Sequence, residues 1–237
     1  MCDDCNTGTI SRRGLIAGGL ALSLTAPLAT QASAEEAAAA AAPVSPEEAL
    51  QRLIEGNARY VANAAINTDH SLTRVSRTQG QQPFAAIVSC SDSRVAPELI
   101  FDEGPGELFV VRVAGNFISE EGLATLEYGV AVLGIKSIVI LGHTSCGAVD
   151  ATIKSIADNE LPPGHLPSLV NAIRPAVYDV MGDKPADLLA AATAQNARRN
   201  AERAQTEGPI LSEAFASGRL NTAAAIYDIA TGKVDFI

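Results

Sequence analysis

The sequence predicts an α/β fold, a mostly parallel sheet core with flanking helices. Three observations carry this reading. Phe84 to Ser89, Leu108 to Val113 and Ser137 to Leu141 are short, nearly all-apolar runs without polar alternation, as expected of strands buried on both faces of a parallel sheet. Between the second and third runs, Leu123, Leu126, Tyr128, Val130 and Leu133 form a helical pattern ended by Gly134. That makes a βαβ unit, whose crossover should be right-handed. Ala223 to Asp228 and Lys233 to Phe236 read as a closing pair of strands across the turn Thr231-Gly232.

The chain begins differently from its body. Arg12 and Arg13 follow Ser11, a mildly apolar, glycine-rich stretch comes next, and Ala32-Ser33-Ala34 supplies an A-x-A site. This layout resembles a twin-arginine export signal, with cleavage expected after Ala34 and a periplasmic or exported destination. An uncleaved membrane-anchoring helix is the alternative. Cys2 and Cys5 form a lone C-x-x-C with neither a second ligand pair nor a thioredoxin-like context, and should leave with the signal. Residues 35–44 are a low-complexity linker, two glutamates and six alanines leading to Pro43 and Val44.

One domain is expected over 45–237. Ser45 is an N-cap, Pro46 takes the first helical position, Glu47 and Glu48 fill the first turn, and Leu50, Leu53, Ile54, Ala58 and Val61 recur at helical spacing. A helix should open near Cys146 and run to about Ile156, followed by a loop over Leu161 to Leu166. Further helices are expected at Pro167–Asp179, Ala186–Thr206 and Ile210–Ser217. The 237 residues carry 17 basic and 27 acidic side chains, a net charge of −10. Removing 1–34 takes away Arg12 and Arg13 but also Asp3 and Asp4, so the balance is unchanged. Such acidity argues against nucleic acid as a main partner. No apolar run after residue 40 reaches the roughly 18 residues that span a bilayer, so no stable membrane anchor should remain after cleavage.

The polar residues that interrupt the apolar runs carry the chemistry. Cys90-Ser91-Asp92-Ser93-Arg94 follows the first strand, and His143-Thr144-Ser145-Cys146-Gly147 follows the third. Ligands of open parallel sheets bind beyond the carboxyl ends of the strands, so the two motifs meet if those strands are neighbours. Two thiolates and an imidazole suit zinc, and H-x-x-C places two ligands on one turn. Cys146 would stand near a helix N-terminus, which favours the thiolate. Buried cysteines acting as small apolar residues, and a histidine that is merely hydrogen-bonded, are the alternative.

The chain resembles the β-class carbonic anhydrases over roughly residues 45–237. "C-S-D-S-R-V" and "G-H-T-S-C-G-A-V" carry the likeness, supported by "E-G-N-A-R-Y" (55–60), "F-V-V-R-V-A-G-N" (109–116) and "L-E-Y-G-V" (126–130). The resemblance implies reversible hydration of CO2 to bicarbonate by hydroxide on one Zn2+ per chain, held by Cys90, His143 and Cys146. It implies an Asp92–Arg94 dyad, with Asp92 a fourth ligand in a closed state. It also implies a pocket of Gln81, Phe109, Tyr128 and Gly147, and dimers or multiples of dimers whose pockets are completed across the subunit interface. Ala114 stands where relatives often carry a larger apolar residue. Two other functions fit the residues: CS2 or COS hydrolysis on the same scaffold, and a structural zinc in a binding module. A structural zinc usually takes four Cys or His ligands, and only three remain after cleavage. His70 and His165 are loop histidines read as solvated.

Overall fold

The computed structural model describes residues 44–71 and 74–237. The expected export signal and all of the expected linker except Val44 lie outside the described residues.

Helix α1 (Pro46–Val61) starts with a capping box: the Glu48 N–H donates to Ser45 Oγ at 3.1 Å, and the Ser45 N–H donates to the Glu48 carboxylate at 2.7 Å. Its inner face buries Ala49, Leu53, Gly56 and Asn57. Gly56 permits a close approach: a Cβ there would stand 1.8 Å from the carbonyl oxygen of Phe101.

Five strands make one sheet in the order β2 (Leu108–Arg112), β1 (Ala85–Ser89), β3 (Ser137–His143), β4 (Asn221–Tyr227), β5 (Val234–Phe236). The first four are mutually parallel, and β5 closes the sheet antiparallel to β4. All three central runs are strands as the sequence predicts, though β3 continues two residues further and takes in His143. A short helix α2 (Pro97–Ile100) joins β1 to β2, and α3 (Glu120–Ala131) joins β2 to β3. Then follow α4 (Gly147–Asp158), α5 (Leu166–Met181), α6 (Leu188–Thr206) and α7 (Ile210–Ala216). The sequence gives no signal for α2 or for a 3-10 turn at Ser76–Gln79, since neither is long enough to show a period.

Alternate strand residues feed two cores. Ile87, Leu108, Val139, Leu141 and Ala225 pack with α1, Ile100 and Phe101 on one face. Val88, Ile138, Ile140 and Ala224 pack with Leu126 of α3, with α6 and with α7 on the other. A third cluster lies among the segments beyond the strands and includes Cys90, Cys146, Val149, Ile173, Val177 and Ala192. Under α1, two buried carboxylates tie loops together. Asp102 pairs with Arg59 at 2.5 Å and accepts the N–H groups of Ile66 and Asn67, while Glu103 pairs with Arg52. No helix among the described residues is long and apolar enough to cross a membrane.

Candidate metal centre

Strand order decides the site. β1 lies directly beside β3, with Ser89 opposite Leu141. From its end β1 leads outward to β2 on one side, while β3 leads to β4 on the other. Connections that diverge from two adjacent parallel strands leave a crevice at their carboxyl ends. Cys90 is the first residue past β1 and His143 the last residue of β3. Ser145 adopts left-handed backbone (φ +58°), and Cys146 follows as the N-cap of α4. A non-glycine residue seldom takes that conformation; here it falls between His143 and Cys146, in the turn that leads into α4.

The donor atoms of Cys90, His143 and Cys146 all lie within 4.8 Å of one another, and all three residues are buried. The His143 Nδ1–H donates to the Thr144 carbonyl at 2.9 Å. A carbonyl only accepts, so Nε2 carries the lone pair that faces the cluster. Nε2 is buried and meets no hydrogen-bond partner of good geometry. The residues therefore fit a cation such as zinc: a buried, aimed imidazole nitrogen and two thiols on one small volume.

The electrostatics agree. The neighbouring Cys146 thiol, against the cost of burial, holds the Cys90 thiol down at about 4, with help from His143 and the Gly115 N–H. Cys146 is pushed up in turn, first by Cys90 and then by burial, although the N–H groups of Val149 and Ala148 at the start of α4 oppose this. Two thiolates at this separation repel unless a cation joins them. Burial pushes the His143 ring down, but the Cys90 sulfur, the Thr144 carbonyl and Asp92 outweigh it and raise its pKa above the ordinary imidazole value.

Asp92 stands at the rim. Arg94 grips both its oxygens, Nε to Oδ1 at 2.9 Å and Nη2 to Oδ2 at 2.7 Å, and the Arg94 N–H adds a third bond at 3.0 Å. The Arg94 fork is the main reason that this carboxyl sits well below the ordinary carboxylate range. Oδ2 lies 4.0 Å from His143 Nε2. Asp92 thus rests on Arg94, beside the cluster.

Of the remaining sequence candidates, Gly147 directly follows Cys146, while Gln81, Phe109 and Tyr128 stand away from the cluster. Gln81 precedes β1 and lines a groove with Ser76, Gly106 and Glu107, whereas Cys90 follows β1; the five-residue strand alone separates them by about 16 Å. Phe109 pairs with Ala86, about 13 Å down the strand from Cys90. Its ring meets that of Tyr128 on α3, centroids 6.4 Å apart. Gly147 opens α4 and is exposed, with no atom within 4 Å of where a Cβ would stand.

Other residues serve the site without having been singled out from sequence. Arg112, at the end of β2, donates from Nε to the Cys90 carbonyl at 3.0 Å and from Nη2 to the Asp92 carbonyl at 2.7 Å. The Gly115 N–H donates to Cys90 Sγ at 3.3 Å. Arg112 had one available signal, a charge closing an otherwise apolar strand. Gly115, inside a supporting motif, had only its place next to Asn116.

A family model described as carbonic anhydrase matches residues 85–234, which take in β1 to β4, the first residue of β5 and the whole cluster. The chain belongs to the carbonic anhydrase family. A carbonic anhydrase of Mycolicibacterium smegmatis is 35% identical over 192 residues, covering 80% of this chain and 92% of that protein. Carbonic anhydrase 2 of Mycobacterium tuberculosis is 45% identical over 133 residues, 56% of this chain and 64% of its own length. Among solved structures, the β-carbonic anhydrase CcaA is 31% identical with a TM-score of 0.62, covering 79% of this chain and 98% of its own. A Coccomyxa β-carbonic anhydrase solved with acetazolamide is 29% identical with a TM-score of 0.61, covering 79% and 86%. These likenesses place this carbonic anhydrase in the β class.

Proposed function

We propose that Cys90, His143 and Cys146 hold one zinc ion per chain and that Asp92 and Arg94 work beside it in the reversible hydration of CO2 to bicarbonate and a proton. The observation that carries this reading is the set of three buried donors within 4.8 Å, with an unpartnered His143 Nε2 among them. Three protein ligands leave a coordination position free, and zinc in such a site makes a water acidic enough to supply a nucleophile near neutral pH.

The chain's own residues do the rest. The Thr144 carbonyl fixes the His143 tautomer, and the Gly115 N–H and the start of α4 stabilise the two thiolates. Asp92, kept ionised by Arg94, accepts a hydrogen of the attacking water at Oδ2 and turns its lone pair toward the CO2 carbon. Arg112 holds the backbone from which both Cys90 and Asp92 project. Gln81, Phe109 and Tyr128 of one copy serve the cluster of another, which accounts for their distance from Cys90 within one chain. That arrangement makes the protein a homodimer or a multiple of dimers. A Sordaria macrospora β-carbonic anhydrase that shares this fold at 23% identity is described as tetrameric.

The deciding experiment is stopped-flow CO2 hydration on protein of known zinc content. About one zinc per chain is expected, with both metal and activity lost in Cys146→Ala and His143→Ala. Full activity in a metal-free Cys146→Ala preparation would overturn the assignment. Export through Arg12 and Arg13 is a separate proposal, supported by the sequence alone. Residues 1–34 should carry a reporter that works only after twin-arginine translocation, and the change of both arginines to lysine should stop it.

A further inference from the structure

Three side chains on α6 grip the loop that follows β2. Asn196 Nδ2 donates to the Gly115 carbonyl at 2.8 Å. The Ile118 N–H donates to Asn200 Oδ1 at 2.8 Å, and Arg203 Nη1 donates to the Ile118 carbonyl at 2.8 Å. Positions 196, 200 and 203 are spaced four and then three residues apart, so they share one helix face. Asn200 Nδ2 also donates to the Asn196 carbonyl at 2.8 Å, which locks the second amide to the helix beneath the first. Asn196 and Asn200 are 1% and 8% exposed. Amides buried so deeply cost free energy unless they are bonded, and here both are.

The gripped loop is hydrogen-bonded to the ligand cluster through Gly115, and Phe117 packs against the same buried group. Gly115, whose carbonyl Asn196 holds, is also the residue whose N–H donates to Cys90 Sγ. Its backbone is left-handed (φ +86°), and a Cβ would stand 2.4 Å from Ile173 Cδ1. A side chain there would strain the backbone and push Ile173 aside, and glycine does not hold its own conformation. The peptide that carries its carbonyl is held from two sides, by the Asn116 N–H donating to the Val113 carbonyl at 3.0 Å and by Asn196 from α6. A hydrogen bond to a ligand sulfur withdraws charge from the thiolate and orients its lone pairs, so partners of this kind tune a metal site.

We propose that Asn196 is a positioning residue for the Cys90 thiolate, acting through Gly115, whose N–H it aims at Sγ. This rests on Cys90 being a metal ligand. Packing alone would give α6 the same contacts but leave the bonding of Cys90 unaffected by the chemistry at position 196.

The test uses the full-length protein loaded with cobalt(II), read by its near-ultraviolet thiolate-to-cobalt charge-transfer band, and the zinc protein titrated with a competing chelator. Asn196→Asp keeps the shape but cannot donate to a carbonyl, and Asn196→Ala removes the amide. Both should move the band, and zinc affinity should fall by roughly tenfold or more. Ala204→Gly, in the sheet-facing core of α6, should lower the melting temperature and move neither reading. Wild-type band and affinity in both Asn196 variants, with the band altered in Cys90→Ser, would overturn the proposal while leaving Cys90 a ligand. An unaltered band in Cys90→Ser would overturn the ligand assignment itself. Should neither Asn196 variant fold, Arg203→Gln loosens the same loop from Ile118. A moved band with lowered zinc affinity then upholds the proposal, and wild-type values overturn it.

Discussion

Replacing Arg112 by lysine should slow CO2 hydration about tenfold while zinc content and melting temperature stay close to wild type. The guanidinium spans two carbonyls, 3.0 Å to Cys90 and 2.7 Å to Asp92. An ammonium is a compact point charge without that planar fork, so it does not span both carbonyls in the same geometry. A charged donor on a carbonyl contributes about 1.5–3 kcal/mol when shielded. Arg112 lies at the exposed end of β2, so a figure just below that range, about 1.4 kcal/mol, applies to the lost bond; that corresponds to tenfold in rate. The loss should fall on rate because the released backbone carries Asp92, and a misplacement of about 1 Å costs up to 10²-fold in catalysis. Stability should change little, since water can reach the freed carbonyl. Arg112→Leu, which removes both bonds, should cost about a hundredfold on the same reasoning. Stopped-flow hydration, zinc analysis and thermal melting on one preparation measure all three quantities. Activity within twofold of wild type in both variants, with zinc retained, would refute the argument that this clamp positions the site.

Arg94→Ala should keep its zinc but lose activity, most severely toward pH 6.5 and least near pH 9. The freed Asp92 carboxylate, 4.0 Å from His143 Nε2, competes best for the cation where hydroxide is scarce; a uniform loss across that range would contradict this. Asn57→Ala should destabilise the fold by about 3 kcal/mol, from three lost bonds at roughly 1 kcal/mol each. Its amide donates to the Ile100 and Gly232 carbonyls and accepts the Val234 N–H. Chemical denaturation should show that drop, with turnover preserved below the melt. Burial pushes the Asp102 carboxyl up, but Arg59 and the Asn67 and Ile66 N–H groups outweigh it and hold it below the usual range. A depressed folded value means the contribution is complete above the unfolded pKa of about 3.9 and fades as pH falls through the folded value. Asp102→Asn should therefore flatten the fall in melting temperature below about pH 4, and an unchanged acid slope would exclude this carboxylate as its source.

Local signals in the chain determine the fold class and the candidate ligands. Strands buried on both faces must be apolar throughout, so Phe84–Ser89, Leu108–Val113 and Ser137–Leu141 are legible without any contact being known. A cysteine or histidine that ends such a run is conspicuous for the same reason, which makes Cys90, His143 and Cys146 readable as a set. Only the tertiary structure decides that β1 and β3 are neighbours and that Asp92 rests on Arg94. It alone puts Gln81, Phe109 and Tyr128 away from Cys90 within one chain. The supporting contacts of Arg112, Asn196, Asn200 and Arg203 were equally hidden. Each is a side chain bonded to the backbone of a distant segment, and such a bond leaves no periodic trace in either segment. A helix face bearing two asparagines and an arginine reads as solvated until a loop with unmet carbonyl and N–H groups is found lying against it.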